Sequence, residues 1–231
     1  MRNDFVVFIG YDSDQPEAAI ACWKSIVDND KENQVTVQLI DRATLVDNTL
    51  YWRDRMETES TEFSFTRFLT PYLKGFYGYA LFCDSDFIWK CSPLEILELA
   101  KQDSNKAVWV VKHDLKQEDL KPTKMDGKVQ TLYPRKNWSS LMLFNCDHEE
   151  VRTLTPDVVS EQAPSYLHGL QWTKDENIGE LPKTYNYLVG YYHDEEAPKV
   201  LHFTDGTPLH KGYEDCEFAR EFLKYVSPPI Q

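Results

Sequence analysis

Tyr79-Ala80-Leu81-Phe82-Cys83-Asp84-Ser85-Asp86-Phe87-Ile88-Trp89 is the stretch on which the reading of this chain turns: two carboxylates flank one small residue between two apolar runs. A short continuous apolar run of this kind predicts a strand buried on both faces of a parallel sheet. Negative charge at its end is costly, because a buried or half-buried carboxylate has to be paired, hydrogen-bonded or bound to a metal. Residues at i and i+2 both turn towards one cation where the backbone bends at a strand end. A divalent metal is the simplest compensation. Hard oxygen ligands favour magnesium, manganese or calcium over zinc or copper, and a hard metal at the end of a parallel strand points to a bound phosphate or diphosphate.

Working outward, Phe5-Val6-Val7-Phe8-Ile9 is a second buried strand, closed by Gly10. A helix is expected over Glu17 to Val27, where Ala18, Ala19, Cys22, Trp23 and Ile26 recur at helical spacing and Pro16 sits where a first turn tolerates it. Val35 to Ile40 reads as the next strand, so the opening is strand, helix, strand, as in a parallel crossover unit. Glu62 to Leu73 reads as a helix carrying Phe65, Phe68, Leu69 and Leu73, with Pro71 kinking it or starting part of it. Pro93 to Ala100 reads as a short helix, and Ala107 to Val111 and Leu141 to Phe144 as strands. Lys112 to Asn137 is polar, contains Met125-Asp126-Gly127-Lys128, and reads as a hairpin or mobile loop. Val200 to Phe203 is a late strand and Glu214 to Val226 a terminal helix. The fold class is α/β, a Rossmann-like, mostly parallel mixed sheet flanked by helices, in one domain over residues 1–231.

The composition bounds the partners. Thirty-eight acidic against 25 basic residues leave a formal charge of −13, which disfavours nucleic acid as a partner. The strand-like run begins at Phe5 and leaves no room for a signal peptide, and no apolar run approaches the ~20 residues needed to span a bilayer. Five dispersed cysteines with no C-x-x-C pair argue against a disulfide framework or a zinc site. A reducing, cytoplasmic compartment is the expectation.

Asp-Ser-Asp occurs twice. Asp12-Ser13-Asp14 lies in the loop after the first strand, where Asp and Ser are ordinary turn and cap formers. Tyr11 and Asp12 nevertheless sit at the carboxyl end of that strand, where open α/β sheets bind ligands, and suit stacking on a base and reading its edge. His202 follows a late strand and suits an imidazole ligand beside Asp84 and Asp86, a mixed shell that fits manganese. His210 and Lys211 lie within reach of a diphosphate or are solvated surface residues. Arg67 is a charged residue inside an aromatic segment and needs a partner, for which the carboxylates or a nucleotide phosphate serve. Asn137-Trp138-Ser139-Ser140 and His168-Gly169-Leu170-Gln171-Trp172, the latter before Asp175-Glu176, offer the mixed polar and aromatic groups that bind sugars.

Together, the strand-helix opening, Arg67 ahead of Asp84-Ser85-Asp86, Leu181-Pro182-x-x-Tyr185-Asn186 and His202-Phe203-Thr204-x-Gly206-x-Pro208 resemble nucleotide-sugar glycosyltransferases of the GT-A fold. Within it they are most similar to the retaining family 8 group that includes glycogenin and lipopolysaccharide galactosyltransferases. The resemblance implies that Asp84, Asp86 and His202 hold manganese or magnesium, which bridges the diphosphate of a UDP-sugar. It implies further that Tyr11 and Asp12 meet the uridine, and that Arg67, Ser85, Trp138, Ser139, Gly206 and Lys211 contact the donor. Gln171 falls at the position near the anomeric carbon, and Lys211 or His210 assists the leaving group. Trp138-Ser139-Ser140-Leu141 departs from the Asn-Ala/Ser-Gly usual before that strand. The implied acceptor is a glycan, a lipid-linked sugar or a protein. A sugar nucleotidyltransferase would carry a Gly-rich basic loop where this chain has the acidic Tyr11 to Pro16. A nucleotide-sugar-binding scaffold without turnover is the main alternative, and a metal-dependent phosphohydrolase a remote third.

Overall fold

The computed structural model describes residues 4–56, 59–124, 127–129, 132–193 and 197–226. Along the chain, β1 (Val6–Gly10), α1 (Pro16–Asn29), β2 (Thr36–Ile40), α2 (Arg42–Asp47) and α3 (Thr70–Leu73) precede β3 (Tyr79–Cys83) and β4 (Phe87–Trp89). There follow α4 (Leu94–Lys101), β5 (Val108–Val110), a hairpin of β6 (Thr123–Lys124) and β7 (Lys128–Val129), and β8 (Leu141–Asn145). The chain continues through α5 (Pro156–Glu161), α6 (Pro164–His168), β9 (Ile178–Glu180), β10 (Tyr187–Leu188), β11 (Val200–His202) and α7 (Ala219–Leu223).

Six strands form the central sheet in the order β2-β1-β3-β8-β5-β9. β1 pairs in parallel with β2 and β3, β8 runs antiparallel to β3 and β5, and β9 is parallel to β5. Side chains alternate across a strand, so Phe8, Phe82 and Phe144 point to one apolar layer and Val7, Ile9 and Leu81 to the other. One layer is completed by Phe63, Phe65, Phe68 and Leu69, the other by α1 and α4. A sheet covered on both faces needs strands that are apolar throughout, which is why β1 and β3 read as continuous runs. α1 packs closely because its inner side is small: Ala18, Ala19, Ala21, Cys22 and Ser25 are all buried. Ser25 and Asn29 fasten it to β4, where Ser25 Oγ accepts from the Trp89 N–H at 3.0 Å and Asn29 Nδ2 donates to the Trp89 carbonyl at 3.0 Å.

A second sheet, β10-β11-β4, stands beside the first. β11 runs antiparallel to β4 with His202 opposite Phe87. That register carries a residue from late in the sequence to the end of β3.

Two expected helices are shorter than their sequence patterns. Over 62–73 the chain forms a 3-10 turn at Thr66–Leu69 and then the four-residue α3. Phe63, Phe65, Phe68 and Leu69 are all buried, so this segment is enclosed on every side rather than presenting one helical face, and Pro71, which has no N–H, sits at the head of α3. The terminal helix spans only Ala219–Leu223, because residues 213–219 form successive tight turns and Phe218 takes the left-handed region at φ 59°. The polar 112–137 segment does contain a hairpin, β6-β7, while Met125 and Asp126 lie outside the described residues. All five cysteines are free. Among the described residues no helix is long and apolar enough to cross a membrane.

Candidate active site

Four elements meet where β3 ends. The Asp84 N–H donates to the Ser140 carbonyl at 2.9 Å, which draws the 138–140 turn to the strand end. The Phe203 N–H donates to the Asp86 carbonyl at 3.0 Å, which draws in the end of β11. The His202 ring then stacks on Phe87 with centroids 4.3 Å apart. As a result Asp84, Asp86 and His202 each offer one ligand atom, and these atoms all lie within 4.8 Å of one another. His202 Nε2 is 3.5 Å from Asp86 Oδ1.

Arg67 stands on the other side of Asp84. Its Nη1 lies 2.8 Å from Asp84 Oδ1 and donates to the Ser139 carbonyl at 2.9 Å, and its Nε donates to the Phe63 carbonyl at 3.3 Å. The guanidinium lies over the rings of Phe82 and Phe63, at 5.1 and 5.4 Å. One cation against two carboxylates leaves net negative charge beside an imidazole nitrogen. Two hard oxygen donors and one nitrogen, with no thiolate, fit manganese or magnesium.

These groups head a cavity of about 640 Å³, within the ordinary range for a small-molecule site. Asp12, Arg67, Asp84, Ser85, Asp86, Ser139, Gln171 and His202, all singled out in the sequence, line it together. Tyr11, Trp138, Gly206 and Lys211 stand outside its wall. Tyr11 packs against the core layer under α1. Trp138 donates its indole N–H to the His113 carbonyl at 3.0 Å and carries Arg135 over its ring at 5.3 Å. Gly206 lies in the turn after β11, closed by its N–H to the Phe203 carbonyl, and Lys211 is exposed farther along that loop. Asp12 is committed to its own loop: its carboxylate accepts from the N–H groups of Asp14 (3.1 Å) and Glu62 (3.3 Å), and burial raises its pKa.

The sequence does not single out Arg135 or Glu59, and it leaves His168 and Asp175 without individual roles, yet all four line the cavity. Within the lining Arg135 pairs with Asp175, Nη2 to Oδ1 at 2.5 Å, and its Nη1 donates to the Gly169 carbonyl at 2.7 Å. Arg135 and Asn137 both take the left-handed region, φ 61° and 64°, a conformation that no sequence pattern announces. His168 is clamped edge-on between Phe65 and Phe68 and shares a 2.8 Å hydrogen bond with Ser139 Oγ. Burial, then the charges of Arg67 and Arg53, press its pKa down to about 3. It is a neutral wall of the cavity at ordinary pH.

No protein-family profile matches the chain. Among curated proteins it is 41% identical over 229 residues to Protein CDI of Arabidopsis thaliana, an alignment that covers 96% of this chain and 86% of that protein. Among solved structures, it resembles the WbbM bifunctional glycosyltransferase at TM-score 0.67 and 15% identity, covering 98% of this chain and 50% of WbbM. It resembles the glycosyltransferase GlyE of Streptococcus pneumoniae TIGR4 at 0.63 and 13%, covering 96% of this chain and 60% of GlyE. The galactosyltransferase LgtC, solved with donor and acceptor sugar analogs, matches at 0.58 and 12%, covering 96% and 95%. The chain thus spans about half to three-fifths of the first two structures and nearly all of the third. At these identities the likeness is one of fold, and the fold is that of the GT-A glycosyltransferases.

Proposed function

The chain belongs to the family of the Arabidopsis Protein CDI, and from its site we propose that it is a metal-dependent glycosyltransferase, moving a hexose from a UDP-sugar to an acceptor hydroxyl. The observation that carries this reading is the convergence of Asp84, Asp86 and His202 within 4.8 Å at the head of a cavity large enough for a nucleotide sugar, on a GT-A fold. Manganese or magnesium is the metal that this donor set suits. Bound there, it supplies Lewis-acid stabilisation of the charge that develops on the departing UDP.

The chain's own residues do the rest. Arg67 holds Asp84 in place and presents positive charge to the donor from a site where water is largely excluded. Ser85 and Ser139 offer hydroxyls at the cavity wall, and Gln171 stands on the side where the transferred sugar sits. Asp12 forms the floor of the nucleoside end with its backbone-bound carboxylate. Tyr11, Trp138, Gly206 and Lys211 are assigned to the donor on the family 8 resemblance, with Lys211 assisting the leaving diphosphate. Among the cavity residues no carboxylate is isolated as a nucleophile. On the family 8 resemblance we assign retention of configuration, and without such a nucleophile it proceeds by the acceptor hydroxyl attacking on the face that UDP leaves, the diphosphate taking its proton. The acceptor is a glycan, a lipid-linked sugar or a protein.

Titration of the protein with UDP and manganese, followed by melting, tests the site. Ligand at a hundred times its Kd stabilises by about 2.7 kcal/mol, which is roughly 5–10 °C in Tm for a chain of this size. We expect that shift only with metal present, and its loss in Asp86→Ala. UDP released from UDP-hexoses in the presence of manganese separates an enzyme from a binding scaffold. Metal-dependent UDP binding with no release from any UDP-sugar, acceptor present or absent, would favour the scaffold.

A further inference from the structure

A chain of buried hydrogen bonds behind His202 has a fixed direction. The Ser140 hydroxyl donates to the Asn137 carbonyl at 2.7 Å, and a carbonyl can only accept. A hydroxyl has one proton, so Ser140 Oγ must accept from its other neighbour, Asn186, whose Nδ2 lies 2.9 Å away. This settles which end of the Asn186 amide faces which way. Its Oδ1, 2.8 Å from His202 Nδ1, can only accept, so Nδ1 carries a proton. In the neutral ring the other nitrogen, Nε2, is then a bare lone pair, and Nε2 is the atom 3.5 Å from Asp86 Oδ1.

Asn186 is fully buried, and Ser140 and His202 are 3% and 2% exposed, so water does not compete with the Ser140–Asn186 and Asn186–His202 links. The ring plane is held as well, by the stack on Phe87. Asn186 sits in the 3-10 turn Lys183–Asn186 directly before β10, and β10 pairs with β11 with Leu188 opposite His202. The amide is thereby tied to the strand that carries the imidazole. A lone pair facing a carboxylate oxygen is repulsive by itself and favourable when a cation lies between them.

We propose that Asn186, oriented by Ser140, is the positioning residue that keeps His202 in the Nδ1–H form and so makes Nε2 a standing metal ligand. The inference rests on the proposed metal site and names the device that prepares it. Partners of this kind behind a metal-bound histidine typically change metal affinity by about 10–100-fold.

The test is nitrogen NMR of protein labelled with ¹⁵N-histidine and free of metal, at alkaline pH, with His202 assigned through His202→Gln. Manganese affinity is measured in parallel by calorimetry. In the wild type we expect a protonated Nδ1 and an unprotonated Nε2 on His202. Asn186→Ala should release the ring into a mixture of tautomers and weaken manganese by about 10–100-fold. Ser140→Ala, which keeps the amide but removes its anchor, should show the same mixture with a smaller loss of affinity, and it carries the test if Asn186→Ala does not fold. A wild-type ring protonated on Nε2, or variants that leave its tautomer unchanged, would overturn the inference even if manganese binds. A locked ring that the variants release, in a protein that binds no divalent metal, would uphold the positioning role and sink the metal reading instead.

Discussion

Arg67 Nη1 lies 2.8 Å from Asp84 Oδ1, with 7% and 15% of the two side chains exposed. The guanidinium is also committed to two backbone carbonyls and two aromatic faces, a set that a lysine ammonium has no geometry to satisfy. Removing one partner of a buried pair costs about 3–5 kcal/mol. At about 2–4 °C per kcal/mol for a chain of this size, we expect Arg67→Met to lower Tm by roughly 6–20 °C. Arg67→Lys should recover little of it. Added manganese should restore part of the loss in Arg67→Met, because a bound cation takes over part of the charge that Asp84 needs. A variant as stable as the wild type would show that the pair contributes no more than an apolar side chain there.

Gly10 ends β1 with the Phe63 ring against it. A Cβ at this position would stand 2.4 Å from two ring carbons, and Phe63 is 1% exposed and has no room to retreat. Overpacking of this kind costs about 1–3 kcal/mol. Gly10→Ala should melt measurably lower than the wild type, and trimming the ring in Gly10→Ala/Phe63→Leu should return part of the loss. An unchanged melt for Gly10→Ala would mean that the cavity wall formed by 61–65 shifts freely.

Stability should fall on the acid side. Burial, then the nearby His202, presses His113 down to about 3, and His168 is also held at about 3, against an ordinary imidazole value near 6.5. Between those values the unfolded chain binds the protons and the folded chain refuses them. This contribution is therefore complete above about pH 6.5 and is lost as pH falls towards about 3. Two such groups give a slope of about 2.7 kcal/mol per pH unit in the middle of that window. Denaturant unfolding at several pH values measures it. His168→Gln should cut the slope by about half, and an unaltered slope would remove His168 from the account.

Arg135 and Asp175 pair in the cavity lining at its exposed edge, with Arg135 22% and Asp175 82% exposed. So exposed a pair contributes at most about 1 kcal/mol to stability, so Asp175→Asn should melt within about 2–4 °C of the wild type. We expect transfer from the UDP-sugar to fall by about tenfold or more all the same, with KM for the donor raised, since each good hydrogen bond to a charged group is worth about 1.5–3 kcal/mol. Unchanged kinetics would place this rim beyond the substrate's reach.

β1, β3 and the carboxylates Asp84 and Asp86 are legible in the chain itself. A strand covered on both faces must be apolar at every position, and a carboxylate directly after such a run demands compensation, so both signals sit within ten consecutive residues. His202 is legible as a candidate for the same reason, at the end of its own apolar strand. The extents of the helices at 66–73 and 219–223 are not: burial of 63–71 on all sides removes the one-faced periodicity by which the first is bounded, and the tight turns over 213–219 cut the second short. Nor is Arg135, whose left-handed backbone leaves no compositional trace in a residue other than glycine.

By itself, then, the sequence determined the α/β class and the strand that carries the acidic pair, since these follow from local patterning and from the cost of charge at the edge of a core. Only the tertiary structure decided what meets that pair. The register that sets His202 opposite Phe87, the reach of Arg67 to Asp84, the closure of Arg135 on Asp175 and the direction imposed on Asn186 by Ser140 all join residues far apart in the chain. The physical reason is that hydrogen-bond direction and charge pairing depend on distances of about 3 Å, and such distances exist only once distant strands have paired.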